Sequence, residues 1–111
     1  MKISTMEKTN GSKRNQGYKH YARILSKQKK MLKDEYSVRE IGIFGSFVRG
    51  EQKMRSDLDI LVEFEKVPGL LKFIELEMLL GKMLKRKVDL VRKQAIRPEL
   101  KEHILGEVVY L

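Results

Sequence analysis

Cysteine is absent from the 111 residues, which excludes a disulfide framework and any thiolate metal site and fits a reducing compartment. No apolar run approaches the length of a membrane span, and Met1 to Gln16 is too polar to form the apolar region of a secretory signal. Internal repeats are missing. The histidines, His20 and His103, have no neighbours at metal-ligand or triad spacing, so both read as surface residues. These absences predict a soluble, cytoplasmic protein, of a length that suits one domain and one core.

What the chain has in excess is positive charge, a net +9, which raises nucleic acid, nucleotide or an acidic partner as ligands. Its distribution narrows that. Residues 1–40 hold eleven Lys and Arg against four Asp and Glu, a balance of +7, leaving only +2 for residues 41–111. Most of the excess therefore reads as a solvated tail and helix face, with nucleic-acid contact the less favoured reading.

Residues 1–16 are Ser, Thr, Asn, Gly and Lys-rich without apolar periodicity, the pattern of a flexible basic tail ahead of a single domain over 17–111. From Tyr18, Tyr21, Ile24, Leu25, Met31, Leu32 and Tyr36 recur at helical intervals, predicting one amphipathic helix that ends near Ser37. Val38 to Phe44 reads as a strand and Ser46 to about Gln52 as a short helix. Asp57 to Phe64 alternates, with Leu58, Ile60, Val62 and Phe64 on one face. Pro68-Gly69 opens a helix from about Leu70 to Leu84, with Leu71, Ile74, Met78 and Leu79 as its buried stripe, although its breadth leaves room for a protein partner. Lys87 to Val91 returns as a strand. A last helix runs from Pro98 to about Leu105, stopped by Gly106 before a short segment at Val108 to Tyr110. Alternating strands and helices specify an α/β or α+β fold, a small mixed sheet covered by helices.

Chemistry concentrates between residues 45 and 89. Asp57 and Asp59 leave the same face of a strand, roughly 6.6 Å apart at Cα. Like charges that close call for a cation, and paired divalent ions about 3.5–4 Å apart are the usual means of holding a polyphosphate while part of it is displaced. A strand that breaks at Gly45 into a helix at Ser46 points backbone N–H groups and a hydroxyl at one spot, a cradle for phosphate oxygens. Asp57 follows Ser46 by eleven residues. A strand at Val88-Asp89-Leu90 that adjoins the first Asp strand would bring in a third carboxylate.

Blander readings stand beside these. Asp57 and Asp59 could mark a capped strand start, Ser46 a helix cap, Arg49 a solvated helix face, and Asp89 a strand-edge partner of Lys87 or Arg92. Lys53 and Arg55 make the intervening loop basic, more simply by solvation than by contact with phosphate.

Gly45-Ser46-x-x-Arg49-Gly50-Glu51, then Ser56-Asp57-x-Asp59-Ile60-Leu61-Val62, then Val88-Asp89-Leu90-Val91 resembles the minimal nucleotidyltransferases of the DNA polymerase β superfamily, over about residues 38–91. The pattern is most similar to the MntA-type antitoxins, stand-alone domains encoded beside a HEPN-domain toxin. The resemblance implies the polymerase-β-like nucleotidyltransferase fold and transfer of AMP from ATP, with pyrophosphate leaving. Gly45 and Ser46 would bind the triphosphate and Arg49 balance its charge. Asp57 and Asp59 would hold two Mg²⁺ ions, with Asp89 ligating the one nearer the acceptor and drawing off its proton.

The acceptor so implied is a tyrosine hydroxyl of the cognate HEPN toxin, and the assembly a hetero-oligomer with it. Two alternatives remain: an antitoxin that neutralises by binding alone, and transfer to a small molecule or RNA. The domain is too small for an obvious second lobe to hold the latter substrates.

Overall fold

A computed structural model describes residues 17–111; the expected basic tail, 1–16, lies outside them. The elements are α1 (Lys19–Lys27), α2 (Lys29–Tyr36), β1 (Val38–Phe44), α3 (Ser46–Arg49), β2 (Leu58–Phe64), α4 (Leu70–Leu84), β3 (Val88–Arg92), a 3₁₀ turn (Lys93–Ala95), α5 (Pro98–Glu107) and β4 (Val109–Tyr110). The four strands form one mixed sheet in the order β3-β2-β1-β4. β1 runs antiparallel to β2 and to β4, while β2 and β3, joined through α4, are parallel. Among the described residues, no helix is long and apolar enough to cross a membrane.

Alternation sets the core. Leu58, Ile60, Val62 and Phe64 of β2 are all buried, and they pack with Ile41 and Ile43 of β1, Val88 and Leu90 of β3, and the helical Leu25, Leu32, Tyr36, Leu76, Leu80 and Leu84. Gly42 has a steric reason to be glycine: a Cβ there would press on Val108 Cγ2 and the Val109 carbonyl, where β4 crosses β1.

Three helix expectations need correction. The single first helix is two, divided at Gln28, whose N–H bonds back three residues to the Leu25 carbonyl at 2.9 Å. No proline or glycine marks the break, and of the lysines around it only Lys27 and Lys30 place like charges across Gln28 at helical spacing. Along α4 the buried row is Leu76, Leu80 and Leu84, whereas Leu71 is 83% exposed, Met78 64% and Ile74 41%, with Leu79 half-buried. Both rows have helical spacing, so periodicity fixes no unique buried side. α5 runs through Gly106 to Glu107 and ends at extended Val108. Gly106 has open space around it and needs no special backbone, so nothing makes it a stop.

α4 also secures β3. Its Glu77 carboxylate accepts the Leu90 N–H at 2.9 Å, satisfying an edge-strand donor one residue beyond Asp89.

Candidate active site

At the end of the sheet where β1 finishes and β2 and β3 begin, the expected residues meet. Asp59 lies opposite Phe44 on β1 and opposite Asp89 on β3. Paired residues of adjoining parallel strands share a face at the inter-strand spacing of about 4.8 Å. Asp57 stands two residues earlier, just before β2 starts. The adjacency of the two Asp strands is thus as the sequence suggested. Among the described residues Asp89 makes no ion pair with Lys87 or Arg92.

Gly45 is the next residue after Phe44, and two constraints require glycine there. Its φ of +83° lies where side chains are disfavoured, and an added Cβ would collide with Asp59 Oδ2. The bare backbone thus approaches the carboxylate. Ser46 opens α3, which the Gly45 carbonyl anchors by accepting from Val48 N–H at 3.0 Å and Arg49 N–H at 3.1 Å. Gly50, with φ +74°, closes it after one turn at Arg49, short of the Gln52 end expected from the sequence.

Asp59 is half-buried among negative charge. Burial pushes its carboxyl up from 3.8 to about 6, helped by the charges of Asp89 and Asp57, opposed by Arg49, with a smaller upward push from Glu107. A cation would relieve this repulsion, and carboxylate oxygens are the ligands that hard ions such as Mg²⁺ take. The donor set therefore suits Mg²⁺ held jointly with phosphate oxygens. Among the described residues, however, no three His, Cys, Asp or Glu side chains converge as a ready-made metal cage.

Two residues that the sequence reading passed over complete the site. Glu107, at the last position of α5, accepts the Gly45 N–H at 2.7 Å and two bonds from Arg49 Nη1 at 3.0 Å each. Ending α5 at Leu105 had left Glu107 outside the helix. Arg86 reaches the loop before Asp57: Nη1 donates to the Ser56 carbonyl at 2.8 Å and Nε to Tyr21 Oη at 2.9 Å, with the guanidinium 5.0 Å above the Phe47 ring. Nothing in the local pattern around Arg86 points there, because its partners are distant in sequence. Arg49, expected to balance phosphate, is also bonded through Nε to Glu51 at 3.0 Å. Lys53 and Arg55 are exposed, as are His20 and His103.

The glycine turn and the aspartates all fall within residues 25–111, which match the family model described as "Nucleotidyltransferase domain". The chain belongs to the nucleotidyltransferase domain family. Among the relatives of this nucleotidyltransferase is the protein adenylyltransferase MntA of Thermococcus cleftensis, 53% identical over 88 residues, covering 79% of this chain and 89% of the relative. Among solved structures, a toxin–antitoxin complex with AMP-PNP contains a chain of similar fold, at TM-score 0.65 and 28% identity, covering 77% of this chain and 69% of that one. A mutant MntA toxin–antitoxin complex matches at TM-score 0.64 and 26% identity, over 77% of this chain and 69% of the other. The fold is that of the minimal nucleotidyltransferases, and the protein is an enzyme of that class.

Proposed function

We propose that this nucleotidyltransferase moves AMP from ATP to a tyrosine hydroxyl of a partner HEPN-domain toxin and thereby silences it, an antitoxin acting by covalent modification. The observation that carries the reading is the in-register pair Asp59 and Asp89 beside the Gly45-Ser46 turn. Support for the donor and the partner comes from the relative named a protein adenylyltransferase and from similar folds solved in toxin–antitoxin complexes, one with AMP-PNP.

In this reading the Gly45-Ser46 turn and Arg49 bind and orient the triphosphate. Asp57, Asp59 and Asp89 would hold two Mg²⁺ ions, which would supply neutralisation of the negative charge of the triphosphate. The acceptor oxygen forms a bond to the α-phosphorus as the bond from that phosphorus to the β-bridging oxygen breaks, and pyrophosphate departs with the electron pair. Asp89, the most exposed of the three carboxylates, faces the acceptor side and takes up the hydroxyl proton.

A second reading, neutralisation by binding alone, draws on the exposed apolar row Leu71, Ile74 and Met78, a surface that a protein partner would cover. Mass spectrometry separates the two. Incubation of the toxin with this protein, ATP and Mg²⁺ should add one or more AMP masses to the toxin, and Asp57→Asn/Asp59→Asn should abolish the addition. An unmodified toxin that is nonetheless inhibited equally by parent and double variant would establish the binding reading instead.

A further inference from the structure

Glu107 occupies a position that helix electrostatics disfavours. It is the last residue of α5, where the partial negative charge of the helix end repels a carboxylate. The side chain is nonetheless largely enclosed, 14% exposed, and takes its compensation from two groups of the candidate active site, the Gly45 N–H and Arg49. We propose that Glu107 is a positioning residue for nucleotide binding, fixing the Gly45 peptide and aiming the Arg49 guanidinium at the triphosphate.

The geometry carries this in two steps. Arg49 is held at both ends, Nε by Glu51 and Nη1 by Glu107, which sets the plane of the guanidinium and leaves Nη2 without a hydrogen bond among the described residues. A planar fork fixed in this way has lost its rotamer freedom before a phosphate arrives. Glu107 itself is anchored to the strand that delivers the Gly-Ser turn: β4 follows α5 at once and pairs Val109 with Ile43 and Tyr110 with Gly42, and the Leu111 N–H reaches the Ile41 carbonyl at 3.0 Å. The carboxylate, the turn and the arginine therefore move as one frame. A carboxylate on such a frame is a brace, poorly placed to swing aside as a phosphate stand-in would have to.

The inference rests on the proposed triphosphate role of Gly45, Ser46 and Arg49, and the test keeps the two apart. Mg·ATP is titrated by calorimetry into the full chain and into Glu107→Gln, Arg49→Ala and the double variant. Glutamine keeps an acceptor for the Gly45 N–H but loses the charge that holds Arg49, so binding should weaken roughly tenfold, as expected for loss of one charge-assisted contact. In the Arg49→Ala background the same change should alter affinity by less than about twofold, since a residue acting through Arg49 has nothing left to aim. Equal or tighter binding by Glu107→Gln would overturn the inference, the tighter case making the carboxylate a competitor of phosphate; so would an undiminished effect in the Arg49→Ala background. Absence of binding by the unaltered chain would remove the nucleotide reading and this inference with it. Should Glu107→Gln melt too low to titrate, Arg49→Lys, which leaves Glu107 on Gly45, must lose affinity similarly, and full affinity there refutes the aim ascribed to Glu107.

Discussion

Strand β2 and helix α4 are both densely apolar, but only the strand shows its buried side in its sequence. On β2 the residues between Leu58, Ile60, Val62 and Phe64 are Asp59, Glu63 and the likewise buried Leu61, so two carboxylates against four apolar residues mark one phase as the core side. On α4 the rows Leu76-Leu80-Leu84 and Leu71-Ile74-Met78 both keep helical spacing, and packing against the sheet chooses the first. In the proposed function the carboxylate side of β2 serves the chemistry and the second apolar side of α4 serves a protein partner. The two elements thus separate the two roles proposed here, transfer and partner binding, and mutations can test that separation.

The largest effect should come from the polar side of β2. Asp57→Asn/Asp59→Asn should lower AMP transfer about a thousandfold or more, because the amide keeps size and loses the charge that holds a cation. The fold should persist, so a mass assay and a melting curve taken together decide; retained transfer would detach β2 from the chemistry.

The two rows of α4 come next. Leu80→Ala should destabilise by about 2–5 kcal/mol through the cavity it leaves, and Leu71→Ala by less than about 0.5 kcal/mol. Chemical denaturation measures both, and equal losses would erase the distinction between the rows. Leu71→Ser/Met78→Ser should weaken toxin binding roughly tenfold while leaving Mg·ATP affinity unchanged. Pull-down and calorimetry on the same preparation would expose the reverse pattern.

The smallest effect concerns Asp59 and pH. Its folded-state value of about 6 exceeds the ordinary 3.8, so the folded chain binds the extra proton, and the resulting stability is full below about pH 4 and lost as pH rises through 6. At pH 7 with a chelator present, Asp59→Asn should therefore raise stability, by about 1 kcal/mol once solvent screening of a half-buried group is allowed for. At pH 4 the gain should vanish. A variant less stable than the parent at pH 7 would show that Asp59 is not under repulsion.

Much of the site was legible because it is local. The Gly45-Ser46 break, the Asp57-x-Asp59 pair and the placement of Asp89 within an apolar strand are each written in a few consecutive residues, and strand alternation converts spacing into a shared face. Glu107 and Arg86 were not legible, because their roles are contacts across the fold: Glu107 to Gly45, and Arg86 to Ser56 and Tyr21. The division of the first helix at Gln28 is not legible for a different reason. Leu25, Leu32 and Tyr36 keep helical phase across it and are all buried, so apolar spacing carries no trace of the break.

The parallel pairing of β2 with β3 gives α4 a further part in the chemistry, although it holds none of the proposed catalytic groups. The crossover through α4 joins β2 to β3 and so shares, with the buried Val88 and Leu90 of β3, in setting which residue stands beside Asp59. Sliding β3 by one residue would turn Asp89 to the opposite side of the sheet, and sliding it by two would carry the carboxylate roughly 6.6 Å along the strand. Leu76, Leu80 and Leu84, seated in the core, together with Glu77 on the Leu90 N–H, act as the calibration of a ruler whose mark is the Asp59–Asp89 separation. If Asp59 and Asp89 act together as proposed, the length of the α4 segment becomes a catalytic dimension, and adding or deleting residues there should detune transfer from a distance while every group in the site keeps its chemical identity.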